Sequence, residues 1–477
     1  MRTGHTIPAR FSRPALRKIA ATGLATSLLA TLAACGGDDS ENDADGGNAI
    51  TVWTLENLPD RMQAQEEIAR TFTQETGINV ELVGIAEDQY SQLLTSAAAA
   101  GELPDVIGAL SLAGVRELAV NDLLDTETAG AVVEELGADT FSQQALALTS
   151  EGDEQLSVPS DGWAQLLVYR QDLFDEAGLP APETYDDILA AAEQLDSQQV
   201  AGFVGANIPN DVFTEQTFEH LALGNGCELV TDDGDIPLDS ENCVGAFDFY
   251  GELIQNYSVP GAQDVDTTRA TYFAGDAAMV IWSSFILDEM AGLRNDAMPT
   301  CEQCGDNPAY LAENSGVVTA VQGPDGEEPA QFGEVVSWVS TAESNADASQ
   351  EFISYMMTDG YMDWIGFAPE GKIPTRQGTA EEPTTFIDQW AELPAGVDTK
   401  APLSDFYSPE VLDALRTAPD TIQRWAITQG AGELLGATLG ELPVAQSVNG
   451  VTTGQLSAEE AAQQADDAVT DIQESLQ

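Results

Sequence analysis

The sequence predicts an α/β protein, and three observations carry that prediction. From Ala49 onward, short strand-patterned runs alternate with helix-patterned ones. Glycines stand where those helices should stop, and 43% hydrophobic residues over 477 positions supply a sizeable core. Ile50 and Val52 alternate with Thr51 and Trp53, as in a half-buried strand. Arg61 to Thr76 carries Ala64, Ile68 and Phe72 in i+4 register, and Gly77 can close that helix in a left-handed cap. Ile78, Val80 and Leu82 then alternate with Asn79 and Glu81. A second helix, from about Asp88 to Ala100, stops at Gly101, and Pro104 to Leu110 gives a third strand. This βαβαβ order calls for parallel strands, right-handed crossovers and helices on the sheet faces.

The pattern resumes with a strand over Trp163–Tyr169 and a short helix from Gln171 to its stop at Gly178. Thr184-Tyr-Asp-Asp187 is a capping-box signature, opening a helix with Ile188, Leu189, Ala192 and Leu195 on one side. Ser344–Asp347 and Ser457–Glu460 are two further boxes. Residues 231–240, 298–314, 322–329 and 378–385 are rich in Gly, Pro, Asp or Asn and predict linkers or long loops.

The N-terminus predicts export. Arg2, Arg10, Arg13, Arg17 and Lys18 form a basic region, and Ile19 to Ala34 form an uncharged apolar run, short for a membrane span. The run ends Leu32-Ala33-Ala34-Cys35-Gly36, which resembles a bacterial lipobox with Cys35 as the lipid acceptor. Residues 1–34 are thus read as a lipoprotein signal peptide. The acidic, Gly-rich stretch 35–48 is read as a flexible tether, and the protein as lipid-anchored on the outer face of the cytoplasmic membrane.

Charge narrows the function. The chain has 81 Asp+Glu against 16 Lys+Arg; removing residues 1–34 takes away five basic residues and no acidic one, leaving 81 against 11, a net charge of −70. Such a field excludes nucleic acid as a partner and disfavours an anionic membrane surface, both of which need a basic footprint. The favoured explanation is adaptation to high salt, which screens the self-repulsion; acidic drift of a secreted surface is the alternative. Histidine chemistry rests on His220 alone, and a lone His on a helical stretch is ordinarily structural. With Cys35 set aside, Cys227, Cys243, Cys301 and Cys304 remain. Local disulfides Cys227–Cys243 and Cys301–Cys304 are the simplest pairing in an oxidising compartment, and a four-cysteine zinc site is the rival.

Several motifs in fixed order carry a family resemblance. They are Ile50–Trp53, Phe72–Glu81, Ala100–Val106, Val168–Phe174, Phe273–Ile281 and Gly371-Lys-Ile-Pro-Thr375. Together they resemble the family 1 extracellular solute-binding proteins, receptors of ATP-driven sugar importers. Arg170, where that family usually has Asn, and the two Cys pairs depart from the pattern. The resemblance implies a two-lobed periplasmic-binding-protein-like fold (type II) with 49–157 and 332–378 in lobe 1 and 158–331 and 379–477 in lobe 2. Crossings near 158, 331 and 378 would form the hinge. It also implies a monomeric receptor that is not an enzyme, with a carbohydrate ligand, permease partners whose ATPase is a separate chain, no cofactor and no metal.

Ligands of open parallel sheets bind beyond the carboxyl ends of strands, which selects Trp53–Asn57 and Ala109–Leu112, with Glu56 and Ser111 among them. Sugars need aromatic platforms beside donors and acceptors. Trp53 with Glu56 offers such a pair; Asp161 and Trp163 follow the first crossing; Trp282 and Ser283 follow a strand; Trp338 is a further candidate. Trp364, Trp390 and Trp425 read as core, and Lys372 as a charge meeting a helix dipole. Two rivals remain. One is the same fold holding a polyamine or peptide, which the acidic field would favour. The other is a secreted glycoside hydrolase, for which a carboxylate pair among 81 acids discriminates nothing.

Overall fold

The computed structural model describes residues 49–86 and 89–476; the leader, Cys35 and the tether lie outside the described residues. The first unit folds as its pattern predicts. Strands β1 (Ala49–Thr54), β2 (Asn79–Gly84) and β3 (Val106–Leu110) run parallel, with β1 between the other two. Helices α1 (Pro59–Thr76) and α2 (Tyr90–Ala100) end at Gly77 (φ 79°) and Gly101 (φ 66°), left-handed positions where a Cβ would be strained. β3 turns directly into α3 (Leu112–Val120) through Ala109, which adopts φ 59°, and Ser111 caps α3 by accepting from the Gly114 amide.

Helices α4 (Thr126–Leu136) and α5 (Gln143–Leu148) and a small hairpin of β4 (Ser150–Glu151) and β5 (Glu154–Gln155) lead into β6 (Val158–Arg170). Next come α6 (Gln171–Ala177), α7 (Tyr185–Leu195), α8 (Val212–Gly224), α9 (Glu241–Tyr257), α10 (Val265–Phe273), β7 (Met279–Ser283), α11 (Ile286–Met290), α12 (Tyr310–Glu313), β8 (Ser315–Val318) and β9 (Gln331–Ser340). Then follow α13 (Ala346–Met356), α14 (Tyr361–Ile365), β10 (Ile373–Pro374), α15 (Thr385–Trp390), the ladder of β11 (Pro394–Ala395) and β12 (Ala401–Pro402), α16 (Pro409–Thr417), β13 (Ile422–Gln423), α17 (Gly432–Glu441), α18 (Pro443–Thr452) and α19 (Ala458–Leu476).

Two long antiparallel strands organise the sheet. The first half of β6 pairs with β9, from Val158–Trp338 to Ala164–Gly333, and its second half pairs with β7 and β8. β9 in turn pairs with β3, so the sheet runs β2-β1-β3-β9-β6, with β10 on the far edge of β6. Positions 158 and 331, marked from the sequence as crossings, are the first residues of these two strands.

The helix caps answer the sequence unevenly. Thr184 accepts from the Asp187 amide, and Ser457 and Glu460 form the full reciprocal box. The box at Ser344 does not form: Asn345, one residue on, caps α13, while the Ser344 hydroxyl is bonded to Ser340. Cys227–Cys243 and Cys301–Cys304 are disulfides, one in each of two separate hydrophobic clusters, so the four sulfurs do not meet around one metal. His220 is fully buried and its Nδ1 accepts from the Phe332 amide; burial holds its pKa down to about 3. No helix among the described residues is long and apolar enough to cross a membrane.

Candidate functional site

A cavity of about 780 Å³ opens where the carboxyl ends of β1 and β3 meet the middle of β6 and the start of α17. Its lining includes Leu55 and Glu56 after β1, Ala109 to Ser111 at the end of β3, and Asp161 and Trp163 of β6. Phe285 after β7, Gly371 and Lys372 before β10, and Glu433 of α17 also belong to the wall. The strand-end rule therefore locates one side of it. The left-handed Ala109 lies in that wall, where backbone strain commonly marks a functional surface.

The floor is a buried ion-pair network. Lys372 Nζ lies 2.6 Å from Glu56 Oε1 and 3.2 Å from Asp161 Oδ2, and 4.3 Å from the centre of the Trp364 ring. Glu56 also pairs with Arg61, while Asp161 Oδ1 accepts from Trp364 Nε1 at 2.7 Å and from the Ser160 hydroxyl at 2.7 Å. Burial alone would raise the Glu56 pKa, but Lys372 and then Arg61 outweigh it and hold the carboxyl at about 2. Burial would likewise discharge Lys372; Asp161 and Glu56 reverse that and raise its pKa. Lys372 is thus a central partner of the floor rather than a charge at a helix end, which corrects the reading from the sequence.

The aromatic wall combines expected and unexpected residues. Trp163 is half-buried, lines the cavity and packs edge-on against Phe332 at 5.5 Å. Phe285 lines it too, its ring held against the backbone of Gly371, where any Cβ would overlap it. Trp282 is not in the lining: it is 5% exposed and packs on Phe213 at 4.7 Å, because its strand turns that side chain toward the core. Ser283, paired with Gln165, is also outside the lining. Trp338 is core, 1% exposed between Phe352 and Trp364, since β9 is covered on both faces. Trp53 is half-buried against the cluster of Ile85, Ile107 and Leu110 and lies outside the lining. Of the eight candidates, Glu56, Ser111, Asp161 and Trp163 come together around the cavity. Trp364, Trp390 and Trp425 are fully buried, as read. Arg170 turns away: it pairs with Asp172 and lies over the Tyr310 ring.

A family model described as bacterial extracellular solute-binding protein matches residues 56–363. The chain belongs to that family. It is a solute-binding receptor, not an enzyme. It is 26% identical over 339 residues to YcjN of Escherichia coli (strain K12), named as an ABC transporter periplasmic-binding protein, covering 69% of this chain and 74% of that one. It is 28% identical over 232 residues to the diacetylchitobiose binding protein DasA of Streptomyces coelicolor, covering 46% and 50%. Among solved structures, the cyclic α-maltosyl-1,6-maltose binding protein of Arthrobacter globiformis superposes with a TM-score of 0.67 at 18% identity, over 90% of this chain and 99% of that one. The GacH receptor of Streptomyces glaucescens gives 0.64 at 20%, over 89% and 98%. These likenesses establish the two-lobed α/β fold of maltose-binding-type proteins.

In this solute-binding protein the cleft holds several residues that sequence reasoning passed over. Phe285 lies two residues beyond the Trp282–Ser283 candidates and lines the cavity where the larger ring of Trp282 does not. Lys372, read from the sequence as a charge meeting a helix dipole, is one of only two lysines beyond residue 34. Glu334 lines the cavity with one oxygen 2.9 Å from the Leu112 amide at the start of α3 and the other 3.8 Å from Arg424; burial raises its pKa, against the pull of Arg424 and that amide. Tyr90, whose buried hydroxyl has no partner among the described residues, Ser91 and Glu117 line the cavity at α2 and α3, with Ser91 bonded to Glu117 at 3.4 Å. Nothing in the local sequence of these residues signals a cleft.

Proposed function

We propose that this receptor binds a neutral carbohydrate, an oligosaccharide by the size of its cleft, and delivers it to an ABC permease. The observation that carries this reading is the pairing of Trp163 and Phe285 with a carboxylate floor already neutralised by Lys372 and Arg61. Apolar sugar faces need such rings, and hydroxyls need fixed, oriented acceptors rather than a free negative field. The same neutralisation weighs against a polyamine. Carbohydrate-named relatives and structural neighbours support the reading.

Residues 49–157 with 332–378 and residues 158–331 with 379–477 are assigned to the two lobes. Support comes from β6 and β9, which start at 158 and 331 and pair side by side. Solute touching both lobes would close them, since only differential affinity for the closed state shifts that equilibrium. Anchoring through Cys35, on the outer face of the cytoplasmic membrane, and action as a monomer belong to the same proposal. A thermal-shift screen of neutral oligosaccharides, monosaccharides and spermidine tests it. A true ligand at about 100 times its Kd adds roughly 2.7 kcal/mol of stability, so one class should stand out; stabilisation by spermidine alone would refute the carbohydrate reading.

A further inference from the structure

We propose that Lys372 sets the specificity of the cleft. Its ammonium fills, from within the chain, a cage made by Glu56, Asp161 and Trp364 that would otherwise take a primary amine. This rests on the reading of the cleft as a site for neutral solutes and says what enforces that neutrality.

The cage has the parts that recognise an alkylammonium. Two carboxylate oxygens lie 2.6 and 3.2 Å from the nitrogen, and an indole face lies 4.3 Å away. The walls come from distant parts of the chain: Glu56 from the loop after β1, Asp161 from β6, Trp364 from α14. Lys372, Glu56 and Asp161 also line the cavity, so the cage opens on the space where solute would lie. Its occupant is buried and tethered just after the turn Pro369–Gly371.

A tethered ammonium competes at a high effective concentration, so a free amine at millimolar levels does not displace it. The need for such an occupant follows from the chain's charge. With 81 acidic against 16 basic residues, the field draws cations toward any cleft the protein has. Two uncompensated carboxylates beside an aromatic face would then collect polyamines in preference to sugars. Arg61, which pairs with Glu56, does not fill the cage.

The test titrates spermidine and propylammonium into the intact protein and into Lys372→Ala, by calorimetry and by melting. The wild type should show no saturable binding of either amine. Lys372→Ala should bind propylammonium saturably and melt several degrees higher in its presence, with 1-propanol inert. Should the variant fold poorly alone, propylammonium and not propanol should restore its refolding yield. Adding Glu56→Gln to that variant should reduce the amine effect at least tenfold. Saturable spermidine binding by the wild type overturns the proposal, as does a variant whose melting and refolding are both indifferent to propylammonium. A wild type that ignores every neutral oligosaccharide counts against the carbohydrate reading, and the amine titrations distinguish that failure from this one.

Discussion

The ring of Phe285 occupies the space that a side chain on Gly371 would fill. A glycine there lets an aromatic platform rest directly on the backbone that carries Lys372. The wall and the floor of the cleft are therefore coupled through one missing Cβ. Gly371→Ala should push Phe285 out of place, cost about 1–3 kcal/mol of stability, and weaken solute binding. Chemical denaturation and calorimetry of the variant measure both effects; unchanged affinity would show that Phe285 does not touch solute.

Two tryptophans should part company on truncation. Trp338 is core, so Trp338→Ala should cost about 3–5 kcal/mol of stability. Trp163 is half-buried on the cavity wall, so Trp163→Ala should lower the melting temperature little. Melting curves without ligand check the contrast, and similar losses at both positions would place Trp163 in the core.

The pH dependence of stability has a calculable sign. Glu56 is held at about 2, below its ordinary 4.5, so its contribution is present above about pH 4.5 and lost as pH falls toward 2. His220, buried neutral with a pKa of about 3, also withdraws stability as pH falls below its ordinary 6.5. Glu215 is raised by burial and then by Glu219 to about 8, and Glu228 by burial and then by Glu219 and Asp232 to about 7. Their contribution is full below pH 4.5 and disappears as pH rises through 7 and 8. Asp288, buried beside Glu370, shifts in the same direction. Between pH 5 and 8 these raised acids outnumber His220, so the melting temperature should peak at about pH 5 and decline toward pH 8. A melting series from pH 3 to 8 in constant salt checks this, and a maximum above pH 7 would contradict it.

Salt should stabilise the protein. With a net charge of −70 beyond residue 34, repulsion between surface carboxylates weakens the compact state at low ionic strength, and added salt screens it. The melting temperature should rise between low and molar sodium chloride. A flat or falling response would show that this surface does not strain the fold.

The legible parts of the sequence were those where periodicity and backbone chemistry agree. The helices ending at Gly77 and Gly101 were readable because only glycine takes that turn without strain. The first half of β6 was not readable, because Pro159-Ser-Asp-Gly162 is composed of turn residues. It extends because β9 and β10 flank it and because the Thr375 and Tyr361 hydroxyls take up the Pro159 and Ser160 carbonyls. Trp338 misled because β9 is buried on nearly every residue, leaving no exposed face to mark which side chains point inward. Lys372 was invisible as a site residue since Asp161 lies 211 positions away, and no local pattern reports a contact at that range.

On the proposed function, this receptor holds a neutral oligosaccharide against Trp163 above a self-neutralised floor. Calorimetric titration of the wild type and of Trp163→Ala with the strongest oligosaccharide from the thermal screen decides it. Losing one such platform should cost on the order of 2 kcal/mol, so the wild type should bind one molar equivalent and the variant about thirtyfold more weakly. Equal affinity in the two proteins, or no saturable heat from any neutral oligosaccharide, would contradict it.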